Sequence, residues 1–381
     1  MRIAFICTEK LPSPAIKGGA VQIMLDGIIP FLTEHQVTIF SISDKSLPNN
    51  EKHAHLEYFR FPRETYMNNV AEEIKKHQFH VIHVFNRPSH VPVYKKSSPN
   101  SSFVLSLHND MFSELKLTKE EGLKAIECVD AITTVSHYIK QTIVKRYPQA
   151  SHKVLVIYSG VDLQKYQSVY EKQGKIIRKR VRQHYNLQGK QVILFIGRLS
   201  KTKGPHLLIN AVDHLIDKYP DIVLVIVGGK WFSDNTVDDY VQSLFDLSSK
   251  FPSHVLFTKY VPAENIPEHL VMADVFVCSS QWHEPLARVH YEVMAAGIPI
   301  ITTNRGGNGE VIHHGRNGLV INDYDNPKAF ADAIDFILSN PSESKSLGLN
   351  GREYVRKHFQ FHHVAEKLEK LYLQVTQKKY L

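Results

Sequence analysis

Short apolar runs rich in valine and isoleucine return along the whole chain, with helix-length stretches between them. In the first half they fall at residues 3–7, 37–42, 81–85, 103–107, 131–135 and 154–157. In the second half they fall at 192–196, 223–227, 255–257, 275–278, 298–302 and 319–321. Most are apolar at both alternating positions. A strand reads this way when both faces of its sheet are covered, as in a parallel sheet with helices on either side. The alternation therefore predicts an α/β chain built from doubly wound parallel sheets. The 381 residues exceed what one ordinary core organises, so two domains are expected. The expected limits are residues 1–165 and 166–357. The stretch from 353 onward is read as helical, with Val355, Phe359, Val364, Leu368, Leu371 and Leu373 as its apolar positions. It suits a plain terminal helix or one crossing back to the first domain.

Composition narrows the class. With 43% hydrophobic and 22% charged residues the chain reads as globular. The opening Met-Arg-Ile-Ala-Phe-Ile-Cys turns polar at Thr8, too early for a signal peptide, and is read as a first strand. No apolar run approaches the ~18 residues of a membrane-spanning helix. Cys7, Cys128 and Cys278 are odd in number and far apart, and each sits in an apolar run. They read as free buried thiols, which suits a cytoplasmic location. The net charge of +8 permits acidic ligands such as nucleotides, phospholipid or polyanionic polymer without choosing among them. No nucleic-acid partner is expected. The basic run 171–182 reads either as a linker entering a solvated helix or as a peripheral contact for an anionic surface.

Ligands of open parallel sheets bind beyond the carboxyl ends of the strands, so the chemistry is sought there. After the first strand, Gly18 and Gly19 precede a helix expected at 21–32, where backbone N–H groups can approach a phosphate or a sugar hydroxyl. After the strand at 192–196 come Arg198 and Lys203, bracketed by Gly197 and Gly204. A guanidinium fork and an ammonium point charge at this spacing suit a diphosphate. His108 stands at the tip of the strand at 103–107 and suits a ligand hydroxyl or a backbone partner. Asp323-Tyr-Asp325 has the Asp-x-Asp form of a metal-binding transferase motif, but Asn326-Pro327 follows it. Asp325 or Asn326 is therefore read as a helix cap rather than a metal ligand. His313-His314 has no partners at metal-ligand spacing, and no metal site is expected.

The densest signal is His283-Glu284-Pro285-Leu286-Ala287-Arg288, followed by Glu292 and the small-residue stop Ala295-Ala296-Gly297-Ile298-Pro299. Pro285 suits the first position of a helix, which places Glu284 at its mouth and Glu292 two turns inside. Two carboxylates so placed suit the two ends of one extended ligand.

Taken together, these residues resemble the retaining glycosyltransferases of family four, whose GT-B fold sets two doubly wound Rossmann-like domains across a cleft. The resemblance spans nearly the whole chain. It rests on Gly-Arg-Leu-x-x-x-Lys-Gly at 197–204, Glu-x7-Glu at 284–292, and the Gly306-Gly307, Glu310, Gly315 and Gly318 run. The pattern is similar to the spore-coat-associated members of that family in Bacillus-type bacteria. The resemblance implies that Arg198 and Lys203 hold the donor diphosphate, with Glu292 on the ribose and Glu284 on the donor sugar. It further implies His108 beside that sugar, Gly18-Gly19 as the N-terminal glycine loop, and Tyr260 and Val261 at the base. It also implies that a terminal helix of about 358–381 crosses back to the first domain. Leu286-Ala287-Arg288 departs from the family's usual Phe-Gly followed by a small or aliphatic residue. Arg288 reads as a further phosphate ligand or a tether for Glu284, and Ala287 adds a methyl where backbone approaches phosphate. Trp231, in an unusually aromatic loop at 228–235, suits stacking on a base or sugar, or packing.

The expected function is metal-independent transfer of a hexose-type sugar from a nucleotide-sugar, with no other cofactor, to a glycan, lipid or protein acceptor. Spore-coat proteins are candidate partners. The alternative is a catalytically weak structural component of the spore coat that keeps the fold. A nucleotide-sugar isomerase on a similar fold fits the glycine and cation set less well.

Overall fold

The computed structural model describes residues 1–230 and 235–377, so Trp231 lies outside the described residues. The chain divides into two compact units. One comprises Met1–Gly160 with Phe361–Leu381, the other Val161–Gln360. The divisions fall a few residues from the limits expected at 165/166 and 357/358.

The first unit is built on β1 (Arg2–Ile6), β2 (Gln36–Ile42), β3 (Asn50–His53), β4 (Leu56–Phe61), β5 (Val81–Phe85), β6 (Ser102–Leu107), β7 (Ala131–Thr134) and β8 (Val154–Val156). They form one sheet in the order β3-β4-β2-β1-β5-β6-β7-β8, parallel except for the β3–β4 hairpin. β3 and β4 were not expected from the sequence. In β4 the polar Glu57 and Arg60 interrupt the apolar run. Its register beside β2 buries the Arg60 guanidinium, which donates to Ser13 O at 2.9 Å and Pro48 O at 2.6 Å and pairs with Glu51 at 2.9 Å. A buried charge is tolerated only with such partners.

Helices cover both faces of this sheet. One core joins Phe40, Tyr66, Ile82, Tyr94 and Ile139. The other joins Ile3, Val21, Leu25 and Val81 to Val364, Leu368, Leu371 and Tyr372 of the terminal helix Phe361–Gln377. The stretch read as one helix from 353 is thus two, Pro341–His358 and Phe361–Gln377. Phe359 ends the first of them and packs against Tyr291 and Tyr354, with ring centroids 5.2 and 5.1 Å away. Of the apolar positions named for this stretch, Leu373 is half exposed.

The second unit carries β9 (Gln191–Ile196), β10 (Ile222–Val227), β11 (Val255–Lys259), β12 (Val275–Cys278), β13 (Ile300–Thr303) and β14 (Leu319–Ile321). They form an all-parallel sheet ordered β11-β10-β9-β12-β13-β14. The basic run folds into the helix Lys172–His184. Two of its cations face inward. Arg178 donates to Val271 O and Ala273 O, Arg182 donates to Met272 O, and both pair with Asp274. Asp274 in turn accepts from the Val192 amide at 2.7 Å. Arg178 and Arg182 thus clamp the helix to the sheet, while Arg180 is exposed and pairs with Glu268, and an anionic-surface role is left to Arg180 and the lysines. Cys7 and Cys278 are buried free thiols, whereas Cys128 is only partly buried. Among the described residues no helix is long and apolar enough to cross a membrane.

Candidate functional site

In a doubly wound sheet the crevice opens where successive connections leave one strand in opposite directions. In the second unit that point lies between β9 and β12, because β9 leads outward to β10 and β11 while β12 starts the run to β13 and β14. The loop after β9 carries Arg198 and Lys203, and the loop after β12 carries Ser280, Trp282 and Glu284. Topology alone therefore brings two distant sequence motifs together.

The Lys203 ammonium forms an ion pair with Glu284 Oε1, and the Ser280 hydroxyl donates to the same oxygen at 2.7 Å. The Glu284 side chain is only 5% exposed. Burial pushes its pKa up, but the Lys203 charge and the hydrogen bonds from Lys203, Ser280 and Trp282 outweigh this and hold it below the usual carboxylate range. The Lys203 ammonium also lies 5.7 Å from the Trp282 ring centroid, a cation–π distance.

The helix expected to begin at Pro285 begins instead at Val289 and ends at Ala295. Glu284 is not at its mouth. Its backbone forms a parallel bridge to Gly306, and its carbonyl accepts from the Gly307 amide at 2.7 Å. This pairing explains the Gly306-Gly307 run. Gly306 has φ +62°, and a Cβ there would lie 2.0 Å from the Glu284 carbonyl oxygen. Residues 285–288 form an irregular turn whose Ala287 N–H is taken by the Asn308 side chain at 3.2 Å. The Ala287 amide is thus taken up within the protein itself. Arg288 does not reach back to Glu284. It pairs forward with Glu292 at 3.4 Å, with side chains 14% and 15% exposed, so its reading as a Glu284 tether is corrected.

Behind the turn, His290 is fully buried. Its Nδ1 meets Ala287 O at 2.8 Å and its Nε2 meets Thr302 Oγ1 at 2.8 Å. Burial lowers its pKa to about 4. Sequence reasoning passed over Ser280, Trp282, His290 and Asn308. Only the aromatic Trp282 beside Glu284 offered a signal.

Tyr260 and Val261 follow β11 at the far side of the same sheet end. The Tyr260 amide donates to Asn235 Oδ1 at 2.8 Å. Asn326 caps the helix Pro327–Ser339 through Lys328 N at 3.0 Å, and its amide donates to Asp323 at 2.6 Å. Among the described residues no three His, Cys, Asp or Glu side chains come together at metal-binding distance.

In the first unit the switch point lies between β1 and β5. Gly18 and Gly19 follow β1, with φ +73° and +101°, and Gly19 precedes the helix Ala20–Ile28. At its φ of +101° a side chain at position 19 is strained whatever the space around it, so this turn favours glycine. His108 stands after β6. Its amide is held by Asn86 Oδ1 at 2.8 Å, and its ring packs edge-on to Phe85 at 5.7 Å.

Comparison with known proteins places these units. Residues 177–354 match the family described as glycosyl transferases group 1, and residues 33–165 match Glycosyltransferase Family 4. The chain is 51% identical over its whole length to the Bacillus subtilis (strain 168) protein named "Putative glycosyltransferase YtcC", covering 93% of it. It is 46% identical to spore coat protein SA of the same strain, over 98% of this chain and 99% of that one. The crystal structure of Anabaena HepE in complex with UDP-glucose superposes with a TM-score of 0.75 at 20% identity, covering 97% and 99% of the two chains, and shares the fold.

Proposed function

Because the chain belongs to the family-four glycosyltransferases, with the GT-B fold, we propose that it transfers a hexose-type sugar with retention from a nucleotide-sugar to an acceptor hydroxyl. The observation that carries this reading is the pairing of Lys203 with Glu284 and of Arg288 with Glu292 around the β9–β12 switch point. Two cations and two carboxylates held there suit a donor with a charged centre and hydroxylated ends. As the bond from the sugar to the diphosphate breaks, negative charge grows on the leaving group. Arg198 and Lys203 neutralise it, and fixed cations act without reorganisation at the moment of reaction. Glu284 accepts from hydroxyls of the donor sugar and Glu292 from those of the ribose, while Tyr260 and Val261 lie at the base. Arg288, already tied to Glu292, orients that acid and adds positive charge at the diphosphate. The acceptor is a glycan, a lipid or a protein.

The deciding experiment is calorimetric titration of the chain with a panel of nucleoside diphosphates. One of them is expected to bind, and Glu292→Ala to weaken it at least about tenfold, since a hydrogen bond to a charged group contributes about 1.5–3 kcal/mol. Unchanged affinity in a folded variant removes the ribose role.

Chemistry by side-chain cations also implies that turnover of the donor survives a strong chelator. Strict dependence on a divalent ion, abolished by Asp323→Ala, overturns that mechanism and gives Asp323 a metal-binding role.

A second reading is favoured by the 46% identity to spore coat protein SA: a structural coat component with little or no catalysis. Absence of binding to every nucleoside diphosphate, with retained association with coat proteins, selects it.

A further inference from the structure

The switch point of the first unit gathers more positive charge than its own packing uses. Glu9 follows β1, Arg63 follows β4, and Arg87 and His90 follow β5. All three basic side chains converge on Glu9. The Arg87 Nε donates to Glu9 Oε2, His90 Nδ1 lies 3.2 Å from Glu9 Oε1, and Arg63 Nε donates to the Glu9 carbonyl at 2.6 Å. Arg63 also reaches the Lys10 carbonyl at 3.4 Å, and Arg87 Nη1 reaches the Asn86 carbonyl at 2.8 Å. The Glu9 carboxylate thus takes the Arg87 guanidinium with the His90 ring beside it, while the neighbouring backbone carbonyls of Glu9 and Lys10 take Arg63, and the exposed Lys10 side chain lies alongside.

Their remaining donors are unused. Among the described residues Arg87 Nη2, Arg63 Nη1 and His90 Nε2 carry no protein partner. A lone structural ion pair needs neither the second arginine nor the anchoring of an exposed one. Arg63 is exposed yet fixed by two backbone carbonyls, which is how a guanidinium is held ready for a ligand rather than left to sweep through solvent. The position matters too. The connections leaving β1 and β5 run in opposite directions here, and open parallel sheets bind ligands at that point.

We propose that Arg63, Arg87 and His90 form an oxyanion site for a phosphate group carried by the sugar acceptor, with Glu9 as the fixed counter-charge that orients them. The assignment rests on the glycosyl-transfer reading above and narrows its acceptor to a phosphate-bearing one. Guanidinium forks match phosphate oxygens in pairs, and two forks from different strands can take one phosphate from two sides. The phosphate belongs either to a soluble sugar or polyol phosphate or to a lipid headgroup.

The test uses the full chain with its nucleoside diphosphate present at saturation, so that the donor site is filled. Calorimetry with inorganic phosphate, glucose 6-phosphate and glucose is compared across the unaltered chain, Arg63→Gln and Arg87→Gln. Sedimentation with phosphatidylcholine vesicles, with and without phosphatidylglycerol, forms the lipid arm. Glucose 6-phosphate and phosphate are expected to bind and glucose not to. Each variant should weaken them about tenfold, the loss of one charge-assisted contact, with nucleoside diphosphate affinity and melting temperature unchanged. Arg63→Gln carries the argument if Arg87→Gln unfolds, because its side chain is exposed. If only the anionic vesicles show the Arg63 dependence, the site stands with a lipid headgroup as its source. If no arm changes in either variant, the site is refuted. Failure of the unaltered chain to bind any nucleoside diphosphate strikes the transferase reading instead. The phosphate titration, run without nucleotide, then still decides the anion site.

Discussion

Lys203→Met is expected to destabilise the second unit by about 3 kcal/mol, because it strands a carboxylate that is almost wholly buried. Glu284 is 4% exposed, and the Lys203 ammonium is the cation that keeps its pKa low against the effect of burial. With that cation gone, the Ser280 and Trp282 hydrogen bonds alone face the desolvation cost, and the carboxyl pKa should swing above its ordinary value. The sign of the pH dependence follows. A group whose folded pKa is raised is protonated more readily when folded, so the loss is full at neutral pH and shrinks as pH falls toward 4.5, the ordinary Glu value. Glu284→Gln in the Lys203→Met background should recover most of the stability, since it removes the stranded charge and keeps the shape. Urea unfolding of the two single variants and the double variant measures this. A double variant no more stable than Lys203→Met means that the pair is not coupled and that Glu284 is solvated. Donor binding separates the two roles, because the double variant regains stability without regaining affinity for nucleoside diphosphate.

Acidification from pH 7 to pH 5 should destabilise the protein through two buried histidines, by about 2 kcal/mol in each unit at 1.36 kcal/mol per pKa unit. His83 sits in the middle of β5, fully buried. Its Nδ1 meets the Tyr372 hydroxyl at 2.7 Å and its Nε2 meets Ser106 Oγ at 2.5 Å. Burial, with a smaller contribution from the charge of His108, lowers its pKa from 6.5 to about 3. His290, held by Ala287 O and Thr302, falls by burial to about 4. Both must stay neutral in the folded chain, while the unfolded chain takes up protons as pH drops below 6.5. Stability is therefore complete above that value and is lost progressively down to about 4 for His290 and about 3 for His83. The interval from 7 to 5 lies above the ordinary carboxylate range, so acidic groups contribute little to the slope. His83→Gln and His290→Gln keep a hydrogen-bonding side chain that does not titrate. Each should flatten the pH dependence of urea unfolding for its own unit. Slopes that match the unaltered chain in both variants refute the account.

Most of the architecture was legible because strands buried on two faces write an unambiguous signature. β5, β12 and β14 have the limits read from the sequence, and the other doubly apolar strands differ by one or two residues at an end. The β3–β4 hairpin left no such signature. β3 is largely exposed and β4 alternates, with a buried arginine that looks polar until its partners on distant loops are seen. The break at Phe359 was hidden for a related reason. A helical apolar period continues through 355, 359 and 364, and only the packing of Phe359 on Tyr291 and Tyr354 reveals two helices.

The site divides in the same way. Sequence by itself singled out the candidate loops, because glycines, cations and carboxylates cluster at strand ends and strand ends are countable. It could not decide who pairs with whom. Glu284 lies next to Pro285 in sequence, which suggested a helix mouth, yet its backbone is committed to Gly306 and its carboxylate to Lys203, 81 positions away. Arg288 is four residues from both Glu284 and Glu292, so spacing along a helix allows either partner. The helix starts at Val289 rather than Pro285, which leaves only the forward pairing in helical register. Local pattern sets residue type and position because it reflects which groups water must reach. The choice among equivalent partners depends on where β9, β12 and β13 stand in the sheet, and that order exists only once the chain has folded.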